Sequence, residues 1–513
     1  MRWLVLTWLV LAAISAPSAR AQVEPIGAQP SPEGARALYV SSSVGDDANA
    51  GTSPGQPLRT LAAARARLRD GSADRLLLKC GDVWDEPLTN WRLGGLDHDA
   101  PMLIAPFGAG DHPPTIRAAH GYAFSRDPDA PDVSHLTIVG VRFETQDRDA
   151  GASAFWWLGA GSDLRIEDCA FVGGANGLVL QQGDTRLRDV QIRRCVFTDV
   201  ASRYGRPHAL YAWGVDGLRI EQCVLIGAPP GAPSPHTLIS VGTDNTDVVV
   251  RRNLAVHAAH TAIRVASGGI IEGNVIARCP RAITLGSGPP DPVTHTLGVT
   301  GDVIDNVVLD CDEGVVIENI GVLGARVAGN VLIRGKRDAI SLGEAPDPAP
   351  PPGVGRRDVH LAHNIIHAWD VGVRVRAAAP GQDASGCVIE ANQISDCASA
   401  LLDVNAPGVR LSANLLAWSD ARAPVRLSGQ PVTPADWFER TGDDAALWAS
   451  PGYADPGRSL ATFSASLGFA GTLDALLQRA AASDPDAPCS ARAIAEYIRA
   501  GFRVSPAGRA QAR

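Results

Sequence analysis

The chain is predicted to fold as an all-β solenoid of stacked parallel coils, and three observations support this. First, ten short segments between residues 165 and 416 repeat one pattern: RIEDCAF, QIRRCVF, RIEQCVL, VVRRNLA, IIEGNVI, VIDNVVL, RVAGNVL, HLAHNII, VIEANQI and RLSANLL. Each places a Cys or Asn after a short alternating strand: Cys169, Cys195, Cys223, Asn253, Asn274, Asn306, Asn330, Asn364, Asn392 and Asn414. Second, the steps between them run from 21 to 34 residues, the period of a repeat architecture. Third, each unit carries another apolar strand, as at 177–180, 262–265, 314–317 and 372–375. One coil cannot bury its apolar face, so coils must stack at about 4.8 Å, which puts equivalent residues in columns. An Asn column can bond rung to rung, and Cys fills the same slot as a small buried side chain.

In chain order, residues 1–21 read as a signal peptide. Arg2 precedes an apolar run from Trp3 to Ile14, and Ala19-Arg20-Ala21 supplies a small-x-small cleavage site. A secreted or periplasmic protein is therefore expected, with no membrane span in the mature chain. Residues 22–132 form an N-terminal cap and the first coils. Within them Pro57 opens a helix carried by Thr60 to Arg69 and closed by Gly71, which shields the open end of the stack. Residues 133–418 are the main solenoid, interrupted by Pro/Gly-rich loops at 227–235, 286–295 and 343–357. Residues 419–513 are a non-repeating tail with helices near 472–482 and 491–500, expected to pack over the C-terminal coils.

Composition narrows the function. The chain has 46 Lys and Arg against 55 Asp and Glu, which excludes the basic stripe of a nucleic-acid binder. Nine Cys in an exported chain would ordinarily mean disulfides. Three of them share the ladder column, however, and Cys279, Cys311 and Cys397 each follow a ladder Asn by five residues. Buried free thiols are the expectation, and no metal-binding Cys spacing occurs. A monomer is expected.

The variable step length resembles that of pectate-lyase-like proteins. The opening LYVSSSVGDDANAGTSPGQPLRTLAAARARLRDG, with LLLKCGDVWDEPL and APFGAGDHPPTIRA after it, resembles the start of many secreted β-helix proteins, polysaccharide lyases among them. The resemblance implies a right-handed, single-stranded parallel β-helix with an N-terminal capping helix and a C-terminal helical tail. It also implies a polysaccharide as partner.

Registering the coils on their second strand gives an outward column of Val179, Tyr211, Ser240, Arg264, Thr284, Val316, Ser341, Arg374 and Asp403. The preceding bend gives His208, His236, His260, Arg281, Glu313 and Asp338. His, Tyr and Arg on one corner suit proton abstraction beside a carboxylate. Arg neutralises the carboxylate, His is a base near neutral pH, and Tyr is an acid. β-Helix lyases and mannuronate epimerases use such sets, although no family signature stands at these positions. His208, Tyr211 and Arg264 are the first choice for base, acid and carboxylate clamp, with His236, His260 and Arg281 as neighbours able to exchange roles. Trp213, Glu318, Arg374 and Arg376 are candidate substrate contacts. The same types also occur on any solvated solenoid face.

Weaker candidates are also present. Asp302, Asp305, Asp310, Asp312, Glu313 and Glu318 form an acidic stretch suited to Ca²⁺ or to paired-carboxylate hydrolysis, without a dedicated calcium loop. Asp244-Asn245-Thr246-Asp247 echoes a polygalacturonase motif whose companion motifs are missing, and Lys336 and Arg337 could be a base and clamp. The leading expectation is a secreted enzyme acting on an acidic polysaccharide by β-elimination or C5 proton exchange, with no obligatory cofactor. A hydrolase on the same groove and a non-catalytic polysaccharide-binding protein are the alternatives.

Overall fold

The computed structural model describes residues 32–504 except 150, 183–184, 203–204, 229–234, 287–298, 319–321, 344–357, 377–385, 418–424, 444–450 and 483–487. The expected signal peptide and most of the three Pro/Gly-rich loops lie outside the described residues. The chain is a parallel β-helix. Among the described residues three sheets of 14, 14 and 13 strands form, each taking every third strand except at the start of the first and the end of the second, where two consecutive strands pair. Sheet A runs from Ala37–Val40 to Arg410–Ser412 and sheet B from Val83–Trp84 to Leu415–Ala417. Sheet C runs from Leu88–Trp91 to Gln430–Val432, its last pair antiparallel.

The bend between sheets A and B explains the repeated Cys or Asn. In all ten coils the preceding residue is left-handed, and in eight it is not glycine: Asp168, Arg194, Gln222, Arg252, Asp305, His363, Ala391 and Ala413. Such a conformation costs about 1 kcal/mol for an L-residue, so something must offset it. The ladder does. Each Asn Nδ2 donates to the next Asn Oδ1 and to a carbonyl one coil back, as Asn306 does to Asn330 at 3.0 Å and to Ile271 at 2.9 Å. The next Oδ1 also accepts the rung's own backbone N–H. Cys169, Cys195 and Cys223 continue the column as buried thiols, and Asn253 Oδ1 accepts the Cys223 amide at the junction.

All nine cysteines are free, and Cys80 is the one not fully buried. At the next corner Cys311 Sγ accepts the Cys279 amide, a second sulfur-lined column. Inside the tube the early coils stack phenylalanines. Phe124 lies on Phe155 at 4.5 Å, and Phe143, Phe171 and Phe197 form another file. Beyond Phe197 this core has, among the described residues, no further phenylalanine and is mainly aliphatic, with Trp369 and Trp437 its remaining aromatic side chains.

Two helical expectations change. Helix α1 is only Leu61–Arg65, capped by Thr60, and Leu58 instead bridges to Val40 as part of the first coil. Glu86 accepts from the amides of Leu61 and Ala62, which fixes α1 over the open end. Among its described residues the tail holds four helices: α2 (Pro434–Thr441), α3 (Leu460–Ser466), α4 (Leu473–Ala482) and α5 (Ala491–Gly501). Only α2 closes the C-terminal end, burying Trp437 against the main core. Helices α3–α5 fold back over the middle of sheet B, not over the last coils. The reason is visible there. Strands 254–256, 275–277, 307–309 and 331–333 are apolar at all three positions and buried throughout, so their outward residues need a cover. The two preceding strands bury only the central residue, and the outward Val224 and Ile226 of the second are partly buried against the edge of the same cover.

Candidate functional site

The outward column on sheet C is continuous in register: Val179, Tyr211, Ser240, Arg264, Thr284, Val316, Ser341, Arg374, Asp403. The bend column differs by one residue. Thr237 and Thr261, not His236 and His260, pair in line with His208 and Arg281. The two histidines precede that position. They remain on the same corner, because the His236 amide donates to Pro207 O and the His260 amide to His236 O. Their rings stack at 4.6 Å and 8°.

His208 and Tyr211 share one strand, His208–Trp213, and their rings stack at 5.2 Å. Burial, then the positive fields of His236, Arg264 and Arg206, pushes the His208 imidazole down to about 4. Its Nδ1 is buried without a hydrogen-bond partner. His236 is also lowered to about 4, by burial and then His260, Arg206 and Arg264. Burial raises the Tyr211 phenol despite the nearby Arg264. At neutral pH the corner therefore presents neutral imidazoles beside a protonated phenol. His236 Nδ1 lies 3.2 Å from Thr237 Oγ1 and His260 Nδ1 2.7 Å from Thr261 Oγ1, so both rings are oriented locally.

The arginines separate by their partners. Arg281 Nε binds Glu313 at 2.6 Å, both largely buried, and Arg337 takes the other Glu313 oxygen at 3.0 Å. Arg374 bridges Asp338 and Asp403, and Arg376 sits 3.7 Å from Asp338. Arg264 meets Glu318 only at 4.0 Å and keeps its side chain 39% exposed. A contact of that length and exposure is worth little, so Arg264 can exchange it for a ligand carboxylate. Trp213 lies over the next coil, where Gly242 leaves room: a Cβ there would stand 2.6 Å from the indole.

The acidic stretch does not converge. Asp302 pairs with Arg326, Asp310 with Arg334, Asp312 with Lys336 and Glu313 with Arg281, on different walls. Among the described residues no group of three His, Cys, Asp or Glu is placed to hold a metal ion. Lys336 and Arg337 are tied to Asp312 and Glu313. Asn245 of the Asp244–Asp247 turn is buried, and its Oδ1 accepts the Val215 amide, a structural post. A cavity of about 360 Å³ lies elsewhere, between sheet B and α5, and contains none of these residues. Among the described residues no helix is long and apolar enough to cross a membrane.

No protein-family model matches the chain. A stretch of 84 residues is 34% identical to lacto-N-biosidase of Bifidobacterium longum subsp. longum, covering 16% of this chain and 5% of that protein. Among solved structures, it is similar to GH136 lacto-N-biosidase from Eubacterium ramulus at 15% identity and a TM-score of 0.41, covering 68% of this chain and 65% of that one. It is also similar to the A-module of an Azotobacter vinelandii mannuronan C-5 epimerase, at 14% identity and 0.36, covering 67% and 91%. For pectate lyase Pel9A the values are 14% and 0.34, covering 85% and 86%. The activities belong to those proteins, and the chemistry of this chain rests on its own residues.

Proposed function

We propose that this chain is a lyase or C5-epimerase acting on a uronate-containing polysaccharide laid along sheet C. Removing the C5 proton of a uronic acid requires its carboxylate to be neutralised and a base that is unprotonated at working pH. Arg264 is the clamp, His208 the base, and Tyr211 the acid that protonates the departing oxygen or the opposite face. Arg264 and Arg206 keep the corner positive when a proton arrives, which favours its onward transfer, and His236 and His260 are neighbours able to exchange roles with His208. The observation that carries the reading is a neutral, half-buried His208 in ring contact with Tyr211, with a weakly paired Arg264 two coils on.

The test is incubation with alginate and polygalacturonate. An unsaturated chromophore in the ultraviolet marks β-elimination, and solvent-deuterium incorporation without cleavage marks epimerisation. His208→Ala and Tyr211→Phe should each abolish turnover while thermal unfolding stays unchanged. Retained activity in both would remove this cluster from consideration.

One observation favours a second reading, hydrolysis. Burial raises the Asp338 carboxyl despite its contacts with Arg374, and it adjoins Glu313 one coil away. Two carboxyl groups about 5 Å apart fit a retaining glycosidase. New reducing ends without the chromophore, lost in Asp338→Asn, would select it.

A further inference from the structure

The column that carries Tyr211 and Arg264 extends upstream beyond Val179. Trp156 pairs with Val179, and Ser125 with Trp156, so Trp156 is the outward residue two coils before Tyr211. Its neighbours Phe155 and Trp157 point into the core and are fully buried, whereas Trp156 is half-exposed. Tyr122, from the coil before, covers one face of the indole, with the rings 4.8 Å apart and only 8° from parallel. Tyr122 occupies the same bend column as His208. This aromatic pair and the His208–Tyr211 pair therefore stand on one corner, separated by a single coil.

That intervening coil presents Val179 and Asn176. Asn176 Oδ1 is engaged with the His208 amide, and Val179 is 6% exposed. Two coils separate Trp156 from Tyr211 by about 10 Å. The result is a slot with an apolar floor, an indole wall at one end and the phenol at the other. A large indole held flat by a stacked tyrosine, on a surface where nothing in the core requires it, is a rigid apolar plate beside a polar site. The apolar face of a pyranose packs on such a plate, and its hydroxyls stay in the polar rim.

We propose that Trp156, buttressed by Tyr122, is a sugar-binding platform for the ring next to the reacting residue, so that productive binding needs at least one further sugar on that side. The proposal rests on the reading of sheet C as a uronate-polymer groove. Trp156 is a positioning residue: it acts by holding the neighbouring ring, which seats the reacting ring between His208 and Arg264.

The experiment compares wild type, Trp156→Ala and Trp156→Phe. Binding to sodium alginate, polygalacturonate and their oligosaccharides from dimer to hexamer is measured by calorimetry, and kcat and KM where turnover occurs. Trp156→Ala should weaken binding of the longer oligomers about tenfold, the scale of one lost aromatic contact, and raise KM with little change in kcat. The loss should extend to the dimer, which already supplies the neighbouring ring, and Trp156→Phe, which keeps the stack on Tyr122, should recover most of it. Equal affinity of wild type and Trp156→Ala for every chain length would overturn the platform, whatever the reaction. Loss of affinity in a protein that neither eliminates nor exchanges the C5 proton would keep the platform and sink the proton-abstraction reading. Absence of any wild-type binding to either polymer would overturn both.

Discussion

Replacing Asn306 by alanine tests the ladder at its centre. Asn306 is fully buried and its carboxamide makes four hydrogen bonds. Oδ1 accepts from the backbone amide and Nδ2 of Asn274, both at 2.9 Å, and Nδ2 donates to Ile271 O at 2.9 Å and Asn330 Oδ1 at 3.0 Å. Alanine leaves two Asn274 donors without partners inside the stack. Asn330 Oδ1 keeps one donor, the backbone amide of residue 306. Each stranded buried donor costs about 1–3 kcal/mol, and the vacated volume adds to it, so a loss of roughly 3–6 kcal/mol is expected. A solenoid is quasi-one-dimensional, and such a loss need not unfold the whole chain at once. It should appear first as faster amide hydrogen exchange in peptides spanning 269–277 and 301–309, with a lower thermal midpoint alongside. Unchanged exchange of those peptides and a destabilisation under about 1 kcal/mol would refute the argument that the ladder offsets the left-handed bends.

Three further outcomes are expected. Because the folded-state value of His208 is about 4, below the ordinary 6.5, the unfolded chain binds the extra proton between these values. This penalty on the fold, about 3 kcal/mol, is absent above pH 6.5, grows as pH falls, and is complete below about 4; His208→Gln should flatten that part of the stability profile. The acid limb of kcat/KM should likewise lie near 4, and a limb at 6.5 would contradict a desolvated base. Arg264→Ala should abolish activity at an unchanged unfolding midpoint, whereas Arg281→Ala leaves the buried Glu313 with Arg337 alone and should cost about 1–3 kcal/mol; the reverse pattern in denaturation and rate assays would exchange their roles. Thiol titration of the native protein should consume about one equivalent, Cys80, and all nine after denaturation.

The tube and the order of its outward column were legible in the sequence because parallel coils in register convert spacing into position. Tyr211, Ser240, Arg264 and Arg374 fall where the strand pattern puts them, since each lies inside a strand of fixed pleat. His236 and His260 lie at a bend, where one residue more or less is absorbed without disturbing the stack, and they shift by that one residue. The pairing of Arg281 with Glu313 was hidden because charge partners across coils depend on side-chain reach as well as register. The docking of α3–α5 had a signal that outweighs the tail's position in sequence: five successive sheet B strands, from 224–226 to 331–333, without a polar outward residue. Trp156 was missed because the column was read from Val179 onward, and its coil lacks the Cys or Asn marker.

The position of the corner along the tube follows from the same columns. Phenylalanine files and thiol rungs end together at Phe197 and Cys223, and the carboxamide ladder begins at Asn253. His208, His236 and His260 belong to the coils of Cys195, Cys223 and Asn253, so they straddle that change of filling. In the same coils sheet B, which leads into this corner, turns apolar outward and acquires its helical cover. The histidine corner is thus backed by a packed core and, alongside it, by α4 and α5. A strand on a tube supported from the adjoining wall moves little, and a base held near an acid and a clamp needs that fixity. His208, Tyr211 and Arg264 stand on strands of neighbouring coils, whose pairing fixes their spacing. Specificity must then come from what the groove presents along its axis: indole upstream, an exchangeable guanidinium downstream.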